Sequence, residues 1–365
     1  MQIIIVGAGK VGSSLTAQLI REHRVTVIDQ EPKLIENIIN VYDVMGICGN
    51  GASYEVQKEA EVNKADLLIA TTSSDEINIL ACLVAKKLGV AHTIARIRNP
   101  EYETQLRFMR GELGMTMSIN PEKAAAHEIA RVLRFPAAMK LESFSKGRLE
   151  LVEYRLQEGS ALDGVQLLDI YRSARARVLI CAVSRKGETT IPSGDFQLKS
   201  GDKIYVTAAP DQLSAFFQYL GVFRKKASSV MIVGASKMCY YLASELLEMG
   251  MSVKIIDQNE QRCVEMSEKL PRALVIVGDG TDSELLSEEG ISQTDAFVAI
   301  TGLDEANILM ALSAAKQSGD CCKVVAKINR KSLLELVSTE SLIDSVVSTG
   351  AVTTELILQY IRAMK

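Results

Sequence analysis

The 365-residue sequence predicts an α/β protein with two Rossmann-like, doubly wound parallel sheets in tandem and a small α+β subdomain between them. Three observations lead to this prediction: a glycine-rich turn after the first apolar run, short β-branched runs that alternate with amphipathic stretches, and an internal repeat. In the repeat, Gly7 recurs as Gly234 and Asp29 recurs as Asp257, at spacings of 227 and 228 residues. Such a constant register favours a duplicated domain.

The first copy shows the alternation of strands and helices most clearly. Apolar runs predict strands at Gln2–Val6, Val25–Asp29, Val44–Cys48, Leu67–Thr71, His92–Ile97 and Met115–Ile119. Apolar residues at helical spacing predict helices at Val11–Glu22, from Pro32 onward, at Asn78–Leu88 and from Pro121 to Phe135. Because the strands read as continuous apolar runs, the sheet should be parallel and covered by helices on both faces.

The segment between the copies has a different pattern. Apolar and polar residues alternate at Leu149–Leu156 and Arg177–Ser184, and turn residues precede a third short strand at Ile204–Thr207. We therefore expect a small α+β subdomain at 138–224, after a dinucleotide-binding domain with its closing helix at 1–137. The second copy then occupies 228–365, and the segment 224–229, which is basic at 224–226, is the expected linker.

Composition narrows the function classes. The net charge of −4 gives no basic face for a nucleic acid, so we expect no nucleic-acid partner. No window approaches the roughly 18 apolar residues of a transmembrane helix, which predicts a cytosolic chain. The seven cysteines form no C-x-x-C pair and the three histidines lie far from them in sequence, so we expect no metal site. No nucleophile or His–carboxylate pair is recognisable.

The first glycine-rich turn predicts a dinucleotide site. Its residues are Gly7, Ala8, Gly9, Lys10, Val11 and Gly12. In this G-x-G-x-x-G pattern, which follows a strand and begins a helix, Gly7 permits the tight turn and Gly9 lets a pyrophosphate approach the backbone. Gly12 allows close packing of the helix on the strand, and the helix N-terminus attracts the phosphates. Lys10 helps to neutralise phosphate or is a solvated surface lysine.

Further candidates lie at the carboxyl ends of the neighbouring strands. Asp29, followed by Gln30, ends the second strand, and its carboxylate should bind the ribose hydroxyls and disfavour a 2′-phosphate, hence NAD over NADP. Asn50, Thr71, Thr72 and Ser73 either contact adenine or ribose or cap the following helices. Arg98 follows the fifth strand and is either a phosphate ligand or part of a surface ion pair.

The second copy has lost part of the motif. Its turn reads Gly234-Ala235-Ser236-Lys237-Met238-Cys239, which keeps the first glycine and the lysine. Ser236 places a side chain where a pyrophosphate needs room, and Cys239 thickens the contact between helix and strand. Asp257 and Asp279 remain. We expect an intact fold with a weakened or altered nucleotide site.

Taken together, these motifs resemble those of the TrkA family. The resemblance rests on Gly-Ala-Gly-Lys-Val-Gly at 7–12, Ala-Thr-Thr-Ser-Ser-Asp-Glu-Ile-Asn at 70–78, Ala-Arg-Ile-Arg-Asn-Pro-Glu-Tyr at 95–102 and Asp-Glu-Ala-Asn-Ile at 304–308. TrkA proteins are cytosolic NAD-binding regulatory subunits of Trk potassium uptake systems, built from tandem RCK (KTN) domains. The resemblance implies a homo-oligomeric ring, from dimer to tetramer, on the inner face of the cell membrane.

The resemblance also implies a partner and a division into domains. The partner would be a membrane-embedded potassium transporter of the TrkH or TrkG type, and 138–222 would be the small C-terminal RCK subdomain. The segment from Asn120 to Phe135, with Pro136, would be the crossover helix used in domain pairing. The sequence ends at Lys365, after the predicted helix Thr353–Met364, and we expect no second small subdomain within it.

Three functions compete at this stage. The first is a nucleotide-sensing, non-enzymatic regulator of potassium uptake whose ligand is NAD or NADH, or ATP or ADP. The second is an NAD-dependent oxidoreductase acting on a small substrate, which would need a reactive side chain over the nicotinamide. The third is a dimerisation scaffold without a ligand, in which Gly9→Asp would alter nothing. Two nucleotide folds without a recognisable catalytic domain favour the regulator.

Overall fold

The computed structural model describes residues 1–99, 101–102, 105, 114–134, 140–144, 149–185, 187–221, 227–319, 322–337 and 343–364. The chain divides into two compact units, Met1–Ala126 with Val347–Lys365, and His127–Val346. The expected end of the crossover helix at Phe135 and Pro136, and residues 224–226 of the expected linker, lie outside the described residues. Within the described part of the chain, no helix combines the length and the apolar character needed to cross a membrane.

The first unit contains a six-stranded parallel sheet. Its strands are β1 Gln2–Val6, β2 Arg24–Asp29, β3 Met45–Cys48, β4 Leu67–Ala70, β5 His92–Arg96 and β6 Met117–Ile119. Their order is β3-β2-β1-β4-β5-β6, as predicted for a doubly wound sheet. The helices are α1 Lys10–Leu19, α2 Pro32–Tyr42, α3 Tyr54–Glu59, α4 Asp75–Lys87 and α5 Pro121–Arg134.

The position of β1 determines where a ligand can bind. Ile3, Ile4 and Ile5 of this strand are fully buried, because helices cover both faces of the sheet. The strand order reverses between β1 and β4, so that the connections leave in opposite directions at their carboxyl ends. Ligands of doubly wound sheets bind in the crevice at this reversal. The turn that follows Val6 and the loop that follows Ala70 form its two sides.

The small subdomain is an antiparallel sheet with helices on one face. Its elements are β7 Lys140–Phe144, β8 Leu149–Arg155, α6 Ile170–Ala174, β9 Leu179–Arg185, β10 Glu188–Thr190, β11 Lys203–Ala208 and α7 Pro210–Tyr219. The strand order is β10-β9-β11-β8-β7. Alternate residues such as Val152 and Tyr154 are buried, and Tyr154 packs against Phe217 of α7. The alternation predicts two of the five strands, β8 and β9, and the turn residues predict a third, β11.

The second copy repeats the first sheet. Its strands are β12 Ser229–Val233, β13 Ser252–Asp257, β14 Leu274–Val277, β15 Ala296–Ala299, β16 Lys323–Lys327 and β17 Ser345–Val347, in the order β14-β13-β12-β15-β16-β17. The helices are α8 Lys237–Glu248, α9 Glu260–Lys269, α10 Ser283–Glu288, α11 Asp304–Ser318, α12 Lys331–Val337 and α13 Thr349–Ala363. The tandem Rossmann-like fold with an α+β subdomain between the copies is thus confirmed.

Side-chain caps explain why two helices begin earlier than the sequence predicts. The hydroxyl of Ser74 accepts a hydrogen bond from the backbone N–H of Ile77 at 3.2 Å, so α4 begins at Asp75. The hydroxyl of Ser348 accepts one from Ala351 at 3.4 Å, so α13 begins at Thr349. A serine N-cap satisfies an N–H group that the first turn leaves free, which extends the helix beyond its apolar periodicity.

The last helix of the second copy packs within the first unit. Ile357, Leu358 and Ile361 of α13 are buried in the same hydrophobic cluster as Leu15 and Leu19 of α1. At the side of this cluster, the hydroxyl of Tyr360 lies 2.9 Å from Nδ1 of His92, at the start of β5. The helix that carries the glycine-rich turn at its N-terminus is therefore in direct contact with the end of the chain.

A buried asparagine fixes the loops beside the crevice in each copy. Oδ1 of Asn78 accepts hydrogen bonds from the backbone N–H and the hydroxyl of Thr72, both at 2.8 Å. Its Nδ2 donates to the carbonyl of Arg96 at 2.8 Å. Asn307 makes the same bonds to Thr301 and to the carbonyl of Lys327 in the second copy. Both side chains are fully buried.

Replacing this asparagine should destabilise the fold. We expect Asn78→Ala to lower the free energy of unfolding by about 2–3 kcal/mol, because it leaves a buried N–H and a buried carbonyl without partners. Asn307→Ala should have a similar effect, whereas Asn37→Ala, at an exposed position on α2, should stay within about 0.5 kcal/mol of the parent. Urea unfolding of the three variants would measure this. Equal stability of Asn78→Ala and Asn37→Ala would contradict the prediction.

An ion pair joins α5 to α8 in the second unit. Nδ1 of His127 lies 2.9 Å from Oε1 of Glu245. The hydrogen bond to Glu245 raises the pKa of His127 above its usual value, because it favours the protonated ring. The stabilisation by this pair is thus fully present below the unfolded pKa of about 6.5 and is lost as pH rises through the raised folded pKa.

The pair should produce a small pH dependence of stability. His127→Ala should lower the melting temperature more at about pH 5.5 than at about pH 8.5. Since the histidine side chain is more than half exposed, the pH-dependent part should stay below about 1 kcal/mol. Glu245→Gln is the matched control and should remove the same pH dependence. An equal effect of His127→Ala at both pH values would contradict the assignment.

Candidate nucleotide site

The turn after β1 requires glycine at its first position. Gly7 has a φ of +104°, which side chains other than glycine rarely adopt. A Cβ atom at this position would lie 2.9 Å from the backbone nitrogen of Thr72, in the loop after β4. The positive φ agrees with the tight turn that the sequence predicts, and the missing side chain also lets the two loops at the sheet reversal approach each other.

The other two glycines of the motif have different roles. Gly9 is the N-cap residue of α1 and makes no side-chain cap, and a Cβ there would have no atom within 4 Å. The space above Gly9 is therefore open toward the crevice. A Cβ at Gly12 would lie 1.8 Å from the carbonyl oxygen of Gly7, so only glycine fits at this turn geometry. Open space beside a helix N-terminus suits a phosphate group.

Asp29 has a structural role that the sequence motif does not reveal. Its Oδ2 accepts a hydrogen bond from the backbone N–H of Ala8 at 2.6 Å, and its Oδ1 accepts one from Glu31 at 2.9 Å. The carboxylate thus holds the glycine turn against the end of β2. A carboxylate has about four acceptor positions, so two remain for ribose hydroxyls.

The remaining candidates lie around the same crevice but differ in their contacts. The side chains of Lys10 and Gln30 are exposed, while Val11 is buried beneath the turn. Asn50 is exposed, and its Oδ1 accepts from the backbone N–H of Ala52 at 3.0 Å, which makes it part of a local turn. Lys10, Gln30 and Asn50 are thus accessible to a ligand, and their binding roles stay predictions.

Most side chains of the loop after β4 are engaged in contacts within the protein. Thr71 is buried, and the hydroxyl of Thr72 donates to Asn78. Ser73 is exposed, while its neighbour Ser74 is the helix cap. The N-cap of α4 is Ser74, so none of Thr71, Thr72 and Ser73 caps this helix as the second alternative predicted. Among Thr71, Thr72, Ser73 and Ser74, only Ser73 is exposed.

Arg98 forms an ion pair in the structure. Its Nε donates to Oε1 of Glu122, in the first turn of α5, at 2.7 Å. Arg96 lies next to it in sequence, and burial, together with the nearby charge of Arg98, lowers the pKa of its guanidinium group. The ion-pair alternative for Arg98 is therefore observed. Its side chain remains 45% exposed, which leaves it accessible to a phosphate.

A buried aspartate supports this region and was not among the predicted site residues. Oδ2 of Asp75 accepts hydrogen bonds from the backbone N–H groups of Arg98 and Asn99, at 2.9 and 2.8 Å. Asp304 does the same for Asn329 and Arg330 in the second copy. The repeated D-x-x-N pattern is the sequence feature that could have identified these residues, because it recurs in both copies.

The turn after β12 keeps the first glycine and the aspartate of the turn after β1, but it carries side chains where the first turn has its second and third glycines. Gly234 has a φ of +110°, and Oδ2 of Asp257 accepts from the backbone N–H of Ala235 at 2.7 Å. Ser236 caps α8, with its hydroxyl accepting from the N–H of Cys239 at 3.3 Å. Cys239 is fully buried. The Ser236 side chain therefore occupies the position that is open above Gly9.

Asp279 lies at the carboxyl end of β14, at the position that Asn50 occupies in the first copy. Its Oδ1 accepts hydrogen bonds from the backbone N–H and the hydroxyl of Thr281, at 2.8 and 2.7 Å. The hydrogen bonds from Thr281, followed by one from the side chain of Gln258, lower the pKa of Asp279. An exposed carboxylate at this position is a hydrogen-bond acceptor for hydroxyl groups and repels phosphate.

Metal-binding clusters and reactive thiols can be assessed in the part of the chain that the structure describes. In the ranges that the structure covers, no three His, Cys, Asp or Glu side chains gather closely enough to hold a metal ion. Burial raises the pKa of the Cys239 and Cys263 thiols, which disfavours the thiolate form. The arrangement at the first turn can accept phosphates at a helix N-terminus and hydroxyl groups at a carboxylate. These are properties of a binding site.

Comparison with protein families supports this architecture. Residues 3–121 and 230–349 match the family model described as the TrkA-N domain, and residues 151–221 match the TrkA-C domain. The two TrkA-N matches thus cover the two Rossmann-like copies, and the TrkA-C match covers the small subdomain between them.

Solved structures show the same fold. A structure described as the GsuK RCK domain has a TM-score of 0.69 and 20% identity, and the match covers 98% of this chain and 75% of that one. The GsuK channel bound to NAD has a TM-score of 0.70 and 20% identity, with coverages of 98% and 62%. The human SLO3 gating ring has a TM-score of 0.57 and 12% identity, with coverages of 98% and 81%.

Sequence relatives extend over the whole chain. A Trk system potassium uptake protein TrkA homolog of Archaeoglobus fulgidus is 32% identical over 366 residues, which are 100% of this chain and 82% of the relative. The Trk system potassium uptake protein TrkA of Vibrio alginolyticus is 33% identical over 368 residues, with coverages of 99% and 79%. With two TrkA-N domains, a TrkA-C domain and these identities, the chain belongs to the TrkA family.

Proposed function

We propose that this chain is a nucleotide-sensing regulatory subunit that controls a membrane-embedded potassium transporter of the TrkH or TrkG type. Its relatives at 32–33% identity are named as Trk system potassium uptake proteins. The domains would be those given by the sequence: a dinucleotide-binding domain at 1–137, a small subdomain at 138–224 and a second Rossmann-like domain at 228–365. The protein would act in the cytoplasm, as a homo-oligomeric ring at the inner face of the membrane.

The observation that carries the proposal is the open helix N-terminus at Gly9. Two neighbouring groups suit a nucleotide: the Asp29 carboxylate for ribose hydroxyls and the accessible Arg98 guanidinium for phosphate. The carboxylate favours NAD or NADH over the 2′-phosphorylated form. ATP and ADP present a ribose and phosphates as well, so they compete for the same groups, and structures of the same fold include GsuK bound to NAD and GsuK bound to ADP.

The packing of α1 against α13 could couple nucleotide binding to a conformational change elsewhere in the chain. A nucleotide at Gly9 would contact the N-terminus of α1, and α1 packs against α13, whose chain continues from the second copy. Regulation requires that the nucleotide bind two conformations of the ring with different affinity, since a ligand that binds both equally shifts neither. A change at the α1–α13 contact is one way to couple binding to such a rearrangement.

A regulator and an oxidoreductase differ in what happens to NADH. A dehydrogenase needs a proton donor over the nicotinamide, and the first turn is surrounded by groups suited to binding. We therefore propose a non-enzymatic role. In this role, NADH binds and dissociates unchanged, and its absorbance stays constant during incubation with the protein and candidate small carbonyl substrates. Steady oxidation of NADH would favour the oxidoreductase.

Nucleotide binding should depend on Asp29. We expect Asp29→Asn to weaken NADH binding at least tenfold, because the amide loses the negative charge while its oxygen can still accept from Ala8. Wild type should bind NADPH more weakly than NADH. Isothermal titration calorimetry with NADH, NAD, NADPH, ATP and ADP would measure this. Asp257→Asn is the matched control, because it makes the same change at the aspartate that holds the second turn. Equal affinity in wild type and Asp29→Asn would contradict the assignment.

Control of potassium uptake should depend on the first turn. In a reconstituted complex with its transporter partner, NADH or ATP should change the rate of potassium flux, and Gly9→Asp should abolish this response. The new carboxylate would fill the open space above Gly9 and repel phosphate. A scaffold without a ligand predicts the same flux for wild type and Gly9→Asp. Flux that does not respond to either nucleotide in wild type would overturn the proposal.

A further inference from the structure

The two glycine-rich turns differ in how they use their backbone N–H groups. In the first turn, the N–H groups of Gly9 and Gly12 donate to no group of the described protein, and α1 has no side-chain cap. In the second turn, the N–H of Ser236 donates to the carbonyl of Gly234 at 3.0 Å. The N–H of Cys239, at the position of Gly12, donates to the hydroxyl of Ser236 at 3.3 Å. The same two donors are free in one turn and satisfied in the other.

The buried Cys239 side chain requires this different turn. At the equivalent position of the first copy, a Cβ would lie 1.8 Å from the carbonyl oxygen of Gly7. The second copy accommodates Cys239 fully buried, so the carbonyl of Gly234 cannot occupy the corresponding place. That carbonyl instead accepts from Ser236. The substitutions at 236 and 239 are therefore linked through the geometry of one carbonyl group.

We propose that Ser236 is a specificity-determining residue that closes the second turn to a pyrophosphate, so that the chain binds one dinucleotide, at the first turn. This inference rests on the proposed function, since it assumes that the first turn binds NADH. The Ser236 hydroxyl performs at α8 the hydrogen bonding that a phosphate oxygen would perform at α1. Gly234, Asp257 and Asp279 keep the architecture of the turn and of the sheet edge in the second copy.

The loss of nucleotide affinity at the second turn should be large enough to measure. A pyrophosphate at the second turn would have to displace the Ser236 hydroxyl. It also could not use the backbone N–H of Ser236, because that group already donates to the carbonyl of Gly234. Loss of two hydrogen bonds to a charged group should weaken binding about a hundredfold or more. The protein should therefore show one tight NADH site per chain.

The test counts sites in the full chain by calorimetric titration with NADH. Wild type should bind one equivalent per chain, and Gly9→Asp should bind none with comparable affinity. In the Gly9→Asp background, the added changes Ser236→Gly and Cys239→Gly should restore one site. A second variant, Gly9→Ser, tests the same idea in the first copy and leaves the second copy unchanged. It should weaken NADH binding at the first turn about a hundredfold, because serine is a favoured N-cap. The new Cβ atom would have no atom within 4 Å, so the turn can accept it. Thermal unfolding would verify that each variant is folded.

The outcomes separate this inference from the proposed function. Two tight equivalents in wild type, or one that survives Gly9→Asp, would overturn the closure of the second turn and leave nucleotide binding intact. A folded triple variant that binds no better than Gly9→Asp, or unchanged affinity in Gly9→Ser, would also overturn the role of Ser236. No binding of NADH, NAD, ATP or ADP to wild type would overturn the proposed function itself.

Discussion

The hydrogen bond from the backbone N–H of Ala8 to the carboxylate of Asp29 is the constraint on which the rest of the site depends. It joins the glycine turn to the end of β2, and the equivalent bond from Ala235 to Asp257 does the same in the second copy. With the turn held in this way, the N-terminus of α1 points into the crevice at the sheet reversal. A residue usually interpreted as a ribose ligand is thus first a structural support, which explains why it remains in a copy that has lost two of the three motif glycines.

A second set of supports acts from the other side of the crevice. The buried carboxamide of Asn78 and the buried carboxylate of Asp75 bind the loops after β4 and β5 through backbone groups. Because these groups are buried, each would be costly to leave unpaired, and the loops have little freedom. The same arrangement recurs at Asn307 and Asp304. Duplication therefore preserved the scaffold of both sites, while the binding turn itself diverged at 236 and 239.

The two copies thus provide an internal comparison of an open and a capped helix N-terminus on one fold. The open one is next to α13, which packs on α1 within the first unit. In this arrangement, nucleotide binding at the first turn would act on a helix already in contact with the last segment of the chain. The capped one satisfies its own donors, so its contribution would be structural. This asymmetry is the basis of the proposal that each chain binds one nucleotide, at the first turn.

The tandem doubly wound sheets could be predicted from the sequence, because apolar strands and amphipathic helices are local patterns and the repeat keeps a nearly constant register. The turn at Gly7 could be predicted as well, because its positive φ is a local requirement for glycine. Three contacts became visible in the structure alone: Asp29 holds that turn, Arg98 pairs with Glu122, and α13 packs on α1. These contacts join residues from 21 to more than 300 positions apart, and such pairings follow from the path of the chain in space.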